Sequence, residues 1–116
     1  MNAKQRALGY VRALPGIDMS DVVRLSGDMA RFAEHEGFTL AEVFIEKESG
    51  HTTALGALTR YCQRHVIRNV MVPTAEHLNT LPILANLAKE LLQQEIGGQV
   101  WIVTSTEEEL SCPPTP

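Results

Sequence analysis

Apolar positions along this chain follow two periods, and each change of period marks an element. Residues 7–14 carry apolar and β-branched bulk at Leu8, Val11 and Leu14 and are stopped by Pro15-Gly16, which predicts a first strand. Pro15 to Asp18 has turn chemistry, and Asp18 or Ser20 offers the cap of a helix. Val22, Leu25, Met29, Phe32 and Ala33 then recur at spacings of three and four, which gives that helix one apolar face, and Gly37 ends it. Residues 41–46 read as a second strand. A second helix follows, with Thr52 or Thr53 as cap and a stripe of Leu55, Leu58, Cys62 and either His65 or Val66. Val70-Met71-Val72, closed by Pro73, is a short apolar third strand. The loop 74–79 leads into a third helix, capped by Asn79 or Thr80, with Pro82 in its first turn. Gly97-Gly98 stops that helix before a fourth strand, 100–103.

The order is βαβαβαβ. Apolar strand runs separated by amphipathic helices imply a parallel sheet covered on both faces. The fold class expected is therefore α/β, a flavodoxin-like three-layer arrangement with a four-stranded parallel sheet in the order 2-1-3-4. In such a sheet a site belongs at the carboxyl ends of the strands. The loops 14–18, 47–53 and 73–79 meet there.

Composition narrows the classes. The chain has 116 residues, of which 44% are hydrophobic and 5% aromatic, so it builds one domain with an aliphatic core. That domain is placed at 7–104, with an acidic and then Pro-rich tail, 105–116, expected to lack fixed structure. Ten basic against fourteen acidic residues leave a net charge of −4, which does not favour a duplex-binding surface. Cys62 and Cys112 show no metal-ligand spacing, and His35, His51 and His65 are scattered, so neither a metal nor a cofactor is expected. The opening Met-Asn-Ala-Lys-Gln-Arg is polar, and no apolar run approaches the length of a membrane span. A cytoplasmic location is expected.

Three blocks at the predicted carboxyl edge carry a family likeness. Gly9-Tyr10-Val11-Arg12 closes strand one, and Glu46-Lys47-Glu48-Ser49-Gly50 follows strand two. Ala75-Glu76-His77-Leu78-Asn79-Thr80 follows strand three. The first resembles the Tyr-x-Arg-x-Ser of the serine recombinases, the resolvase/invertase family, and the second their Asp-Lys-x-Ser-Gly. The likeness spans roughly residues 8–103. It implies a site built from Tyr10, Arg12, Glu46, Lys47, Ser49 and Gly50.

In that family a serine attacks a DNA phosphodiester, and several arginines neutralise the transition state. Counted by position, Leu14 stands where the serine belongs. His77 and Thr80 stand for two arginines of the third block, and Glu76 for its aspartate. A further arginine has no counterpart between His51 and Thr59, so Arg12 alone remains. Leucine cannot be a nucleophile. The resemblance thus implies a non-catalytic resolvase-like domain kept as a binding or interaction module, with a protein partner or a second copy of itself. One alternative is a recombinase-type DNA-binding or strand-exchange protein that works with a partner. Another is a small ligand-binding or enzymatic flavodoxin-like domain, which lacks a Gly-rich nucleotide loop after strand one.

Taken one by one, apart from the resemblance, the side chains read simply. Arg12 is expected to pair with Glu46 on the neighbouring strand. Ser49 reads as a turn residue before Gly50, Glu76 and His77 as a polar loop, and Cys62 as a small core residue. The third helix carries more apolar residues than one sheet needs. Leu84, Leu87, Leu91 and Ile96 are expected to supply a self-association face.

Overall fold

The strands pair in the order β2-β1-β3-β4, all parallel. The computed structural model describes residues 5–12, 14, 16–47 and 52–103. They form β1 (Gln5–Arg12), α1 (Met19–His35), β2 (Phe38–Glu46), α2 (Thr53–His65), β3 (Asn69–Val72), a short 3-10 helix (Ala75–His77), α3 (Pro82–Ile96) and β4 (Gln99–Ile102). Among the described residues, no helix is long and apolar enough to cross a membrane. Ser49, Gly50 and Cys112 lie outside the described residues, as does all of the predicted tail.

Alternation along β1 divides the core between two faces. Leu8 and Tyr10 pack with Leu58 and Cys62 of α2 and with Leu92 and Ile96 of α3. Ala7 and Val11 pack with Met29 and Ala33 of α1. Burial pushes the Cys62 thiol up to about 11, which leaves it an inert core group at neutral pH. On the α1 side Trp101 lies against Phe32 and Phe38, with ring centroids 6.0 and 5.7 Å away, and donates its indole N–H to Asn69.

β2 begins three residues earlier than its sequence pattern predicts, at Phe38. The reason is a bulge: Ala7 pairs with Leu40 but Leu8 pairs with Glu42, so Ala41 is extra. Phe38 and Leu40, before the bulge, face α1, as does Val43 after it. Phe44 instead packs on the α2 side. The shift of parity puts Glu46 on the α2 side as well.

The caps depart from expectation at two helices. Asp18 caps α1 in a capping box with Asp21. At α2, however, Thr52 makes no side-chain cap bond. At α3 the N-cap position is Leu81, again without a side-chain acceptor, because Asn79 Oδ1 is turned to the Leu81 N–H. Pro82 occupies the first turn as expected. Of the stripe predicted on α2, Val66 and His65 are exposed, and Val66 ends the helix in the left-handed region at φ 54°. The two glycines after α3 have separate duties. Gly97 takes φ 66° and ends the helix, whereas Gly98 has no room for a side chain, since a Cβ would sit 1.9 Å from the Arg68 carbonyl oxygen.

Candidate functional site

The carboxyl edge of the sheet gathers Tyr10, Arg12, Glu46 and His77 into one hydrogen-bonded cluster. β1 supplies Tyr10 and Arg12, β2 supplies Glu46, and the turn after β3 supplies His77. Tyr10 is wholly buried, Glu46 is 4% exposed and His77 2%. Buried polar groups need partners, and these find one another. The Tyr10 hydroxyl donates to Glu46 Oε1 at 3.0 Å and accepts from an Arg12 terminal nitrogen at 3.2 Å. Burial, with the carboxylate as its acceptor, raises the phenol well above its ordinary range, so Tyr10 stays protonated.

Glu46 does not pair with Arg12, contrary to expectation, although the two residues are register partners across β1 and β2. Its Oε1 also accepts from the Ala54 and Leu55 N–H groups, at 2.9 and 3.2 Å. Those are orphan donors of the first turn of α2, so the carboxylate from β2 is the cap that Thr52 does not provide. The bulge at Ala41 makes this possible by fixing which face Glu46 occupies.

Arg12 turns the other way, to the loop after β3. Its Nε donates to the His77 carbonyl at 3.0 Å, and its guanidinium carbon lies 5.8 Å from the Tyr10 ring centroid. Its backbone N–H donates to His77 Nδ1 at 2.8 Å. That bond requires an unprotonated Nδ1. Burial, and secondarily the Arg12 charge, lower the His77 pKa to about 4. His77 is therefore a neutral latch between the third loop and the end of β1. As a sequence it read as part of a polar loop. A histidine beside Glu76 carries no local sign that a backbone amide 65 positions upstream will hold it.

Beside the latch lies an open cleft of about 310 Å³, whose lining includes Leu14, Ile17, Arg24, Thr74, Glu76 and His77. Leu14 opens the turn that forms one wall: its carbonyl accepts from the Ile17 N–H at 3.1 Å, and Gly16 takes φ 84°. Thr74 Oγ1 is buried there without a hydrogen-bond partner among the described residues. Lys47 is exposed at the end of β2 and borders a second groove with Glu46, Thr53 and Ala57. Of the six residues the family likeness singled out, Tyr10, Arg12 and Glu46 thus meet, while Lys47 stands apart in solvent. Among the described residues, no group of three or more His, Cys, Asp or Glu side chains is placed to hold a metal ion.

A pH dependence follows from His77. Its folded pKa lies below the unfolded value near 6.5, so between pH 6.5 and 4 the unfolded chain binds the extra proton. Its contribution to stability is complete above pH 6.5 and is lost as pH falls toward 4, by roughly 3 kcal/mol in all. Urea unfolding of wild type and His77→Gln across that range measures it: the gap between the two should narrow on acidification. Parallel curves would assign the acid sensitivity to other groups.

The four-stranded parallel order and the helices on both faces define a flavodoxin-like α/β fold. The fold is that of the catalytic domains of serine recombinases. The chain is similar to the C-terminal catalytic domain of ISC1926 TnpA, an IS607-like serine recombinase, with a TM-score of 0.68 and 20% identity over 90% of this chain and 77% of that one. It is also similar to a resolvase family site-specific recombinase from Streptococcus pneumoniae, with a TM-score of 0.66 and 15% identity over 88% of this chain and 74% of that one. The N-terminal catalytic domain of TP901-1 integrase gives a TM-score of 0.64 at 12% identity, over 87% of this chain and 78% of that one. No protein-family model matches the sequence, and no curated protein matches it. At these identities the likeness is one of fold.

Proposed function

We propose that this chain is a non-catalytic resolvase-like domain that acts as an interaction module. The observation that carries the reading is the engagement of Arg12. Two of its guanidinium nitrogens bind the His77 carbonyl and the Tyr10 hydroxyl. In this reading the one arginine that matches the family pattern serves to fasten the third loop to β1. Around it stand Leu14, where the pattern has its serine, and a neutral imidazole, where it has an arginine. Phosphoryl transfer depends on cations aimed at the transferring group, and neither replacement supplies one. Interaction is favoured by the large apolar side chains exposed along α3. The test is a denaturing gel of the protein incubated with supercoiled and nicked DNA. No covalent protein–DNA adduct is expected, and one mapped to Ser20, Ser26 or Ser49 would overturn the reading.

A second reading, a DNA-binding protein that works with a partner, has one observation in its favour. No acidic residue occurs between Glu48 and Glu76, while Arg60, Arg64 and Arg68 do. All three are exposed, and none forms an ion pair among the described residues. Arg64 sits in the last turn of α2 and Arg68 just beyond it, where cations also suit the helix dipole, while Arg60 lies mid-helix with its guanidinium near Gly56. Three arginines on a chain of net charge −4 are expected to give weak duplex binding at physiological salt. A fluorescence salt titration decides this. Sub-micromolar binding whose salt slope is lost in Arg60→Ala/Arg64→Ala would establish the second reading.

A further inference from the structure

The outward face of α3 is apolar along most of its length. Leu81, Ile83, Leu84, Leu87 and Leu91 are between 43% and 83% exposed. Ala85, Leu92 and Ile96 of the same helix are buried, the last two among the strand residues of the core, so Ile96 does not belong to the exposed face, contrary to the sequence expectation. At 100° per residue, Leu84, Leu87 and Leu91 form one stripe, with Ile83 beside it and Leu81 at its start. A helix that is apolar on both sides needs a partner on each.

We propose that a second copy of this chain covers this stripe, with the two α3 helices packed antiparallel about a two-fold axis beside Leu87. The proposal rests on the interaction reading and names its partner. Symmetry makes the stripe fit itself. With the axis at Leu87, Leu84 of each copy meets Leu91 of the other, and the two Leu87 side chains meet at the centre. The exposed apolar area is on the order of 500 Å² per copy, at the top of what a monomer ordinarily leaves bare. Two copies together reach about 1,000 Å², the lower bound of a specific interface.

Charge selects the same arrangement. The acids that border the stripe, Glu90 and Glu95, both lie in the second half of α3, whereas residues 79–88 carry no charge at all. Neither acid forms an ion pair among the described residues. A parallel pairing would set acid against acid. The antiparallel pairing brings Glu95 of each copy to the start of the other copy's α3. That helix end has no side-chain cap of its own, and its dipole favours a carboxylate. A basic peptide would gain only those two acids, and a polyanion would gain nothing.

Sedimentation equilibrium of the full chain, from micromolar to millimolar, tests the idea. A dimer fraction that rises with concentration is expected. Higher salt should strengthen the dimer, because each copy has a net charge of −4. Leu87→Glu should raise the dissociation constant roughly a hundredfold, since the axis would bring two carboxylates together in an apolar setting. Glu95→Lys should weaken the dimer by a smaller factor, about fivefold. In a Cys112→Ser background, Leu87→Cys should form disulfide-linked dimers on mild oxidation, while Glu36→Cys on the exposed end of α1 should not. A monomer at millimolar concentration, or a dimer that Leu87→Glu leaves unchanged, overturns the proposal. Capture of a different protein on the stripe of a monomeric chain would also overturn it while leaving the interaction reading intact. A covalent DNA adduct from a dimeric wild type would do the reverse.

Discussion

Leu14→Ser is expected to yield no covalent protein–DNA adduct on supercoiled or nicked substrates. The substitution puts a hydroxyl on the wall of the cleft beside His77, at the position the family pattern gives its nucleophile. A nucleophile without charge stabilisation achieves little, because the pentacoordinate phosphate must have its developing negative charge neutralised. Arg12 is engaged elsewhere, its Nε held by the His77 carbonyl at 3.0 Å, and Arg24, which lines the same cleft, is paired with Asp21 at 3.3 Å. His77 has a pKa of about 4 and adds no charge at neutral pH. Thr80 is uncharged, and no arginine stands between His51 and Thr59. Loss of one such donor costs about a hundredfold to a thousandfold. With three missing, even short of full additivity, the rate should fall by at least about a millionfold and leave the gel blank. Leu14 is half-buried, so the same substitution should cost about 1 kcal/mol of stability, visible as a lower urea midpoint. An adduct from Leu14→Ser alone would mean that the cations come from elsewhere, and the interaction reading would lose its chief support.

Sheet order and strand direction were legible in the sequence because they rest on long-range averages: apolar runs, helical faces and glycine stops. Details that depend on one residue were not. The alternation of β2 breaks at Ala41, so the pattern hides residues 38–40, of which Phe38 and Leu40 pack on the same side as Val43 only because a residue has been inserted between them. The capping rule looks for a side chain just before a helix, and Thr52 satisfied it in sequence. The cap in fact comes from Glu46, which lies eight positions before the first amide it accepts from. Strand adjacency correctly placed Arg12 beside Glu46, yet both side chains have better partners than each other. Glu46 meets three donors, and Arg12 meets a carbonyl and a hydroxyl. His77 was the largest omission. Its burial follows from the path of the third loop across the end of β1, and no property of its neighbours in sequence encodes that path.

Among single substitutions, Glu46→Ala is expected to cost the most stability. One carboxylate oxygen satisfies the Tyr10 hydroxyl and the Ala54 and Leu55 N–H groups, so its loss strands three donors at once. An unsatisfied buried donor costs about 1–3 kcal/mol, and a lost N-cap about 0.5–2. Water reaches the helix end more easily than the wholly buried Tyr10, so these do not add in full. The expected total is about 3–4 kcal/mol. Glu46→Gln separates acceptor from charge. The amide keeps an oxygen that can accept from Tyr10 or from the helix, and it should cost about 1 kcal/mol, the part owed to the carboxylate's charge at the start of α2. Tyr10→Phe removes the hydroxyl from the other side, and the double variant with Glu46→Ala should be less damaging than the two losses added, by about 1 kcal/mol. Urea unfolding of the four proteins closes that cycle. The effect should concentrate at α2, whose first-turn amides should exchange hydrogen much faster in Glu46→Ala while those of α1 do not. If Glu46→Ala falls within 1 kcal/mol of wild type, or if α1 and α2 lose protection together, Glu46 is not the post on which α2 is hung, and the cluster at the sheet edge is held by Arg12 and His77 alone.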